Sequence, residues 1–130
     1  MAELTGKSAL VTGAGVGIGR AIACALAREG ASVLVVDFNG DTAEETAGLI
    51  RAGGGEARAH VAVVSDEARV AIMVETVVDA FSGFLVACNS AVVSRGSDPI
   101  HGFAREVFDR TLELCLTDTF LCMKHEIAHM

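Results

Sequence analysis

Apolar residues recur with two different periods along this chain. Mostly unbroken runs at 8–11, 32–37, 57–64 and 84–89 read as buried strands, because alternation with polar residues is largely absent. Between them the spacing is helical. Ile18, Ile22, Ala25 and Leu26 form one stripe that Gly30 stops, and Ala43, Ala47 and Ile50 form a second that ends at the glycines of 53–55. Val70, Val74, Val77, Val78 and Phe81 form a third. Asp41 with Glu44 makes a capping-box-like start for the second helix. Ser65 is the expected cap of the third, with Asp66 and Glu67 in its first turn. A loop with Gly96 and Pro99 leads to a long helix from about Phe103. Leu112, Leu116, Phe120 and Ile127 lie on one side of it and Phe108, Cys115 and Cys122 on another. A helix apolar on two sides expects two neighbours.

Strand and helix alternate four times, which predicts crossover connections and a parallel sheet in a doubly wound α/β architecture. The 130 residues suit one domain, 1–130, burying roughly two thirds of its unfolded surface. A net charge of −7, with Arg and Lys scattered singly, argues against a nucleic-acid partner. No apolar run approaches the ~20 residues of a membrane span, and the amino terminus lacks the pattern of a secretory signal. Cys24, Cys88, Cys115 and Cys122 sit in apolar segments without Cys-x-x-Cys spacing, as expected of thiols in a reducing cytoplasm. The chain has no Tyr, and its only lysines are Lys7 and Lys124. Chemistry that needs a tyrosine hydroxyl is therefore outside its inventory.

Between the first strand and first helix, Gly13, Gly15, Gly17 and Gly19 put four glycines into seven residues. A loop there presents unpaired N–H groups at the positive end of a helix, and glycine lets a diphosphate approach them. Asp37 ends the next strand, at the position of a carboxylate that accepts ribose hydroxyls. The same carboxylate would repel a 2′-phosphate, and neither Ala14 nor Phe38 supplies a cation, so the expected cofactor is NAD rather than NADP.

In this order the motifs resemble those of the short-chain dehydrogenase/reductase family. The resemblance rests on Thr12-Gly13-x-x-x-Gly17-Ile18-Gly19, the strand end Val35-Val36-Asp37 and the Ser-Asp-Glu-Ala helix start at 65–68. It also includes Asn89-Ser90-Ala91-Val92, where the family has Asn-Asn-Ala-Gly, and the helix segment 108–127. It implies a Rossmann-type sheet of about four strands and hydride transfer between a nicotinamide and an alcohol or ketone. The cofactor-binding residues it implies, taken with the loop above, are Thr12, Gly13, Gly15, Val16, Gly17, Ile18, Gly19, Asp37, Phe38, Val63, Val64, Asn89 and Ala91. The helix 104–129 is the implied surface of homo-oligomerisation.

The family's catalytic set is not matched. Its Ser and Tyr-x-x-x-Lys lie beyond the long helix, past Met130, and its helix Asn is Cys115 here, a thiol without the amide's paired donor and acceptor. No catalytic residue is assigned, and the expectation is a truncated family member, inactive alone. Val63 replaces the Asp that meets the adenine amino group. Val92 replaces a glycine and is expected to be unfavourable wherever that glycine has positive φ or lets the cofactor pass closely. Losses of about 1 kcal/mol at Val63 and about 1–3 kcal/mol at Val92 would move a micromolar site to roughly millimolar.

Two other readings stand beside this one. The chain could be a non-catalytic dinucleotide-binding or dimerisation module, which the missing Tyr and Cys115 favour. His125-Glu126-x-x-His129 also fits a zinc-hydrolase pattern, with two imidazoles one helical turn apart. No third ligand is evident nearby, since His60 and His101 fall on a strand and a loop, so no metal site is assigned.

Overall fold

The computed structural model describes residues 2–84, 86–92 and 97–130. Its strands are β1 (Ser8–Thr12), β2 (Ser32–Asp37), β3 (Ala57–Val61) and β4 (Val86–Asn89), and its helices are α1 (Gly17–Arg28), α2 (Gly40–Ala52), α3 (Glu67–Phe81), α4 (Arg105–Leu112) and α5 (Asp118–His129). All strand pairs are parallel, in the order β3-β2-β1-β4. Thr12 sits opposite both Val36 and Asn89, and Asp37 opposite Val61, so the carboxyl ends of the strands line up along one rim. The expected α/β sheet of four strands is present. Leu85, in the expected fourth strand, and Gly96, in the expected loop, lie outside the described residues.

Each face of the sheet has its own core. Ala9, Val11, Val33 and Val35 pack against Ala23 of α1 and Ala43, Ala47 and Ile50 of α2. Leu10, Leu34 and Val36 pack on the other face against Val70, Met73, Val74 and Val77 of α3 and Cys122 of α5. Burial on both faces explains why β1 and β2 are continuous apolar runs. A truncation such as Leu34→Ala falls in the class that costs about 2–5 kcal/mol.

Three local expectations are corrected. The N-cap of α2 is Asn39, whose side chain accepts from the N–H groups of Asp41 and Thr42 at 3.0 and 3.3 Å. Asp41 is already inside the first turn, because the chain bends as soon as β2 ends. Likewise α3 is capped by Asp66, which accepts from Ala68 and Arg69, rather than by Ser65. β3 stops at Val61 instead of 64: Ala62 makes a last bond to the Asp37 carbonyl, where β2 itself ends.

The long helix is interrupted. A π-helical turn, Glu113–Thr117, joins α4 to α5. Such turns insert one extra residue and rotate everything after them. Leu112, Leu116, Phe120 and Ile127 form an exposed apolar stripe, and the second expected face divides: Cys122 is buried, Cys115 half-buried, and Phe108 exposed.

Candidate functional site

The rim of strand ends, the glycine loop and α4–α5 enclose a cleft of about 800 Å³, inside the roughly 300–1,000 Å³ typical of cofactor sites. Of the residues singled out in the sequence, Gly13, Val16, Gly17, Ile18, Gly19, Asp37, Phe38, Val63, Val64 and Ala91 line it. Thr12, Gly15 and Asn89 are not in the lining and stand behind it. The Thr12 hydroxyl accepts the N–H groups of Ser90 and Ala91, both at 3.1 Å, and so ties the β4 exit to β1. Asn89 donates through Nδ2 to Glu126 Oε2 at 3.1 Å.

Gly15 binds the acid directly: its N–H donates to Asp37 Oδ2 at 2.9 Å, while Asp37 Oδ1 accepts from Asn39 N at 3.1 Å. A Cβ at Gly15 would press on Thr42 and lie 2.7 Å from that same carboxylate oxygen. Glycine is needed here for close approach, and it locks loop and acid into one unit. Gly13 has φ +62°, and its α-carbon backs onto the Ser90–Ala91 backbone, where a Cβ would come within 2.8 Å. Ordered carboxylate oxygens that accept one N–H each keep lone pairs for further donors. At the start of α1 the N-cap is Val16, which gives no side-chain cap, so the first amides of the helix face the cleft without a side-chain acceptor.

Sequence reasoning passed over the device that fixes this loop. Arg20 donates through Nε to the Gly15 carbonyl and to Thr46 Oγ1, each at 2.9 Å, and its Nη1 meets Glu45 at 3.1 Å. Thr46 is fully buried on α2 and donates to the Gly15 carbonyl at 3.2 Å. The available signal was a hydroxyl between the inward Ala43 and Ala47. Because Arg20 is engaged here, it is not free beside Asp37.

Val92 lines the cleft and is exposed. Among the described residues Ser82 is the one non-glycine with positive φ, so the backbone strain expected at Val92 is absent. Arg110, Leu114 and Asp118 complete the wall and were not anticipated. Asp118 is 2% exposed and neither of its carboxyl oxygens has a partner. Burial, then Glu113, pushes its pKa up, and Arg110 opposes them. One and two turns further along α5 come Cys122 and Glu126, both buried. Burial and the two carboxyls raise the Cys122 thiol to about 12, and burial raises Glu126 against the bond from Asn89.

That orientation separates the members of the His-Glu-x-x-His pattern. Glu126 turns inward to Asn89, His125 Nε2 lies 3.1 Å from Glu67, and His129 Nδ1 lies 3.0 Å from the His125 carbonyl oxygen. Among the described residues no group of three or more His, Cys, Asp or Glu could hold a metal ion.

A parallel sheet whose first crossover carries the glycine loop, with an acid locked to it from β2, is the geometry that comparison with known proteins tests. The family model for short chain dehydrogenases matches residues 7–130. The chain belongs to the short-chain dehydrogenase family. Among its relatives, the uncharacterized oxidoreductase YxbG of Bacillus subtilis is 38% identical, matching all of this chain and 48% of the relative. A 2,5-dichloro-2,5-cyclohexadiene-1,4-diol dehydrogenase of Sphingobium indicum is 35% identical, again over all of this chain and 51% of the relative. The crystal structure of a putative short-chain dehydrogenase/reductase from Burkholderia xenovorans superposes with a TM-score of 0.92 at 34% identity, covering all of this chain and 51% of that one. This short-chain dehydrogenase chain thus spans about half the length of the curated relatives it matches. The family is one of oxidoreductases that use a nicotinamide cofactor, NAD or NADP. No helix among the described residues is long and apolar enough to cross a membrane.

Proposed function

We propose that residues 1–130 form the dinucleotide-binding portion of an NAD-dependent oxidoreductase that moves hydride between nicotinamide and an alcohol or ketone. The observation that carries this reading is the 2.9 Å bond from Gly15 N–H to Asp37 Oδ2, which holds the acid at the edge of the glycine loop. The residues fit such a cofactor. The α1 amides at Gly17, Ile18 and Gly19 would take the diphosphate, since the helix dipole favours anions there. The Asp37 oxygens would accept the ribose hydroxyls of the adenosine half. Phe38, Val63 and Val64 supply apolar surface along the same side, and Ala91 and the β4 exit, fixed by Thr12, form the opposite side. When bound, the nicotinamide would supply the hydride acceptor or donor. Asp37 also carries the choice of NAD over NADP, because a 2′-phosphate would be brought against a buried anion with Arg20 already committed elsewhere.

Within these residues there is no Tyr, and Cys115 lies in the π turn outside the cleft lining. Chemistry therefore needs groups beyond this set, and the isolated chain is expected to bind without turnover. The same observation favours the second reading, a non-catalytic dinucleotide-binding or dimerisation module. Self-association through the exposed stripe of α4–α5 and a cytoplasmic location, which suits four free thiols, complete the proposal.

Calorimetric titration tests it. NAD is expected to bind at least tenfold more tightly than NADP, and Asp37→Ala is expected to abolish that preference by removing the carboxylate that a 2′-phosphate would oppose. Equal affinities for the two cofactors in the unaltered chain would refute the assignment of Asp37.

A further inference from the structure

We propose that Asp118 recognises the nucleotide base, its carboxyl accepting the exocyclic amino group of an adenine; this rests on the dinucleotide reading above. Asp118 opens α5 directly after the π turn, is 2% exposed, lines the cleft, and has no hydrogen-bond partner at either oxygen. Buried polar groups are almost always paired, so a carboxyl left open at the wall of a cleft marks the place of a ligand donor.

The surroundings define that donor. Val36, Ala62 and Val64 line the cleft and belong to one apolar cluster with Cys122, which lies one turn beyond Asp118 on α5. Leu114, one turn before Asp118, lines the cleft as well. The apolar floor begins at Val36, one residue before Asp37 on the same strand, and both line the same cleft. A flat ring fits such a floor, and an amino group at its edge gives the unpaired acceptor its donor. Of the other polar side chains in the lining, Asn39 caps α2, Thr42 donates to the Asn39 carbonyl and Asp37 binds the glycine loop; Ser90 is a neutral hydroxyl at the β4 exit, and Arg110 offers no acceptor. The Val63 side chain has no polar atom, and its carbonyl already accepts from Asp66 N.

The test compares ADP-ribose, the analogue with hydrogen in place of the 6-amino group, and GDP-ribose. ADP-ribose avoids any dependence on turnover. The unaltered chain is expected to bind ADP-ribose about tenfold more tightly than the deaminated analogue. Asp118→Ala should bring that ratio to about one, and Asp118→Asn, which keeps a neutral acceptor oxygen, should restore part of it. Both variants replace a buried carboxyl that has no partner, and a melting temperature no lower than that of the unaltered chain confirms that they fold. Asp37→Ala should weaken both adenine and deaminated ligands while leaving their ratio intact. A ratio unchanged by Asp118→Ala, a ratio near one in the unaltered chain, or tighter binding of GDP-ribose would overturn the role of Asp118 alone. Failure of all three ligands to bind at millimolar concentration would overturn the dinucleotide reading, and this inference with it.

Discussion

Replacing Glu126 with Gln should stabilise the protein, and should do so most at high pH. Glu126 is 2% exposed; Oε2 accepts from Asn89 Nδ2 at 3.1 Å, while Oε1 has no partner. Asn89 Oδ1 is also buried without a partner, so the pair holds one donor contact and two idle acceptors. A proton on Glu126 would add the donor that this pair lacks. That agrees with a folded-state pKa raised by burial. The sign follows from linkage. Below the unfolded pKa, roughly 4.3, both states are protonated and the full stability is present. As pH rises to the raised folded pKa, the unfolded chain loses its proton first, and stability falls by about 1.4 kcal/mol per unit until the folded group also ionises. Asp118, raised for the same reason, adds to this slope. His60, whose pKa burial lowers, works the other way: its contribution is present above about 6.5 and is lost as pH falls. Glu126→Gln removes the charge and brings an amide N–H₂ to the idle Asn89 oxygen. Relief of one unpaired buried group is worth about 1–3 kcal/mol, which for a domain of this size is roughly 4–12 °C in Tm. Thermal unfolding from pH 4.5 to 8.5 reads it: the gain should be small at the acid end and full at the alkaline end. A variant that melts no higher than the parent at pH 8.5, or that keeps the parent's full pH slope, would refute the account.

Two further substitutions test the loop and the helix stripe. Gly15→Ala forces a methyl against Thr42 and Asp37 and should cost about 1–3 kcal/mol in chemical denaturation while weakening NAD. Gly48→Ala, in the middle of α2 with nothing within 4 Å of the added Cβ, should raise stability by about 0.5–1 kcal/mol; effects of the same sign would contradict the close-approach argument. Phe120→Glu places a charge in the exposed stripe beside Leu116 and Ile127, and light scattering should show a shift toward monomer. An unchanged mass would remove that face as the contact surface.

How much of this was legible in the sequence depends on whether a residue's partner is local. β1, β2 and the glycine loop were readable because two-sided burial leaves continuous apolar runs, and because a strand, a turn and a helix follow one another within one crossover. The caps were each displaced inward or outward by one or two residues, since Asn39 against Asp41 and Asp66 against Ser65 differ only in where the preceding strand or turn releases the chain. Arg20, Thr46 and Thr12 act on residues 5, 31 and 78 or 79 positions away, and no periodicity encodes such pairings. The long helix fails for a different reason. A helical wheel drawn from Phe103 assumes 100° per residue throughout, and the π turn at Glu113–Thr117 adds one residue, rotating everything beyond it by about 100°.

That rotation explains why the buried polar row escaped notice. Asp118, Cys122 and Glu126 are spaced four apart, a pattern that an unbroken wheel treats as an ordinary polar or mixed face, and the flanking histidines drew Glu126 into a metal motif. With the extra residue in place, the row turns inward, Asp118 reaches the cleft and Glu126 reaches Asn89 at the end of β4. Phe120 and Ile127, which follow the turn, are carried by the same rotation, whereas Leu112 precedes it in α4. One inserted residue thus acts on both the open carboxyl at the cleft and the part of the apolar stripe that follows the turn. The two features should change together: a deletion within Glu113–Thr117 that restores regular helix would bury part of the stripe and withdraw Asp118 from the cleft.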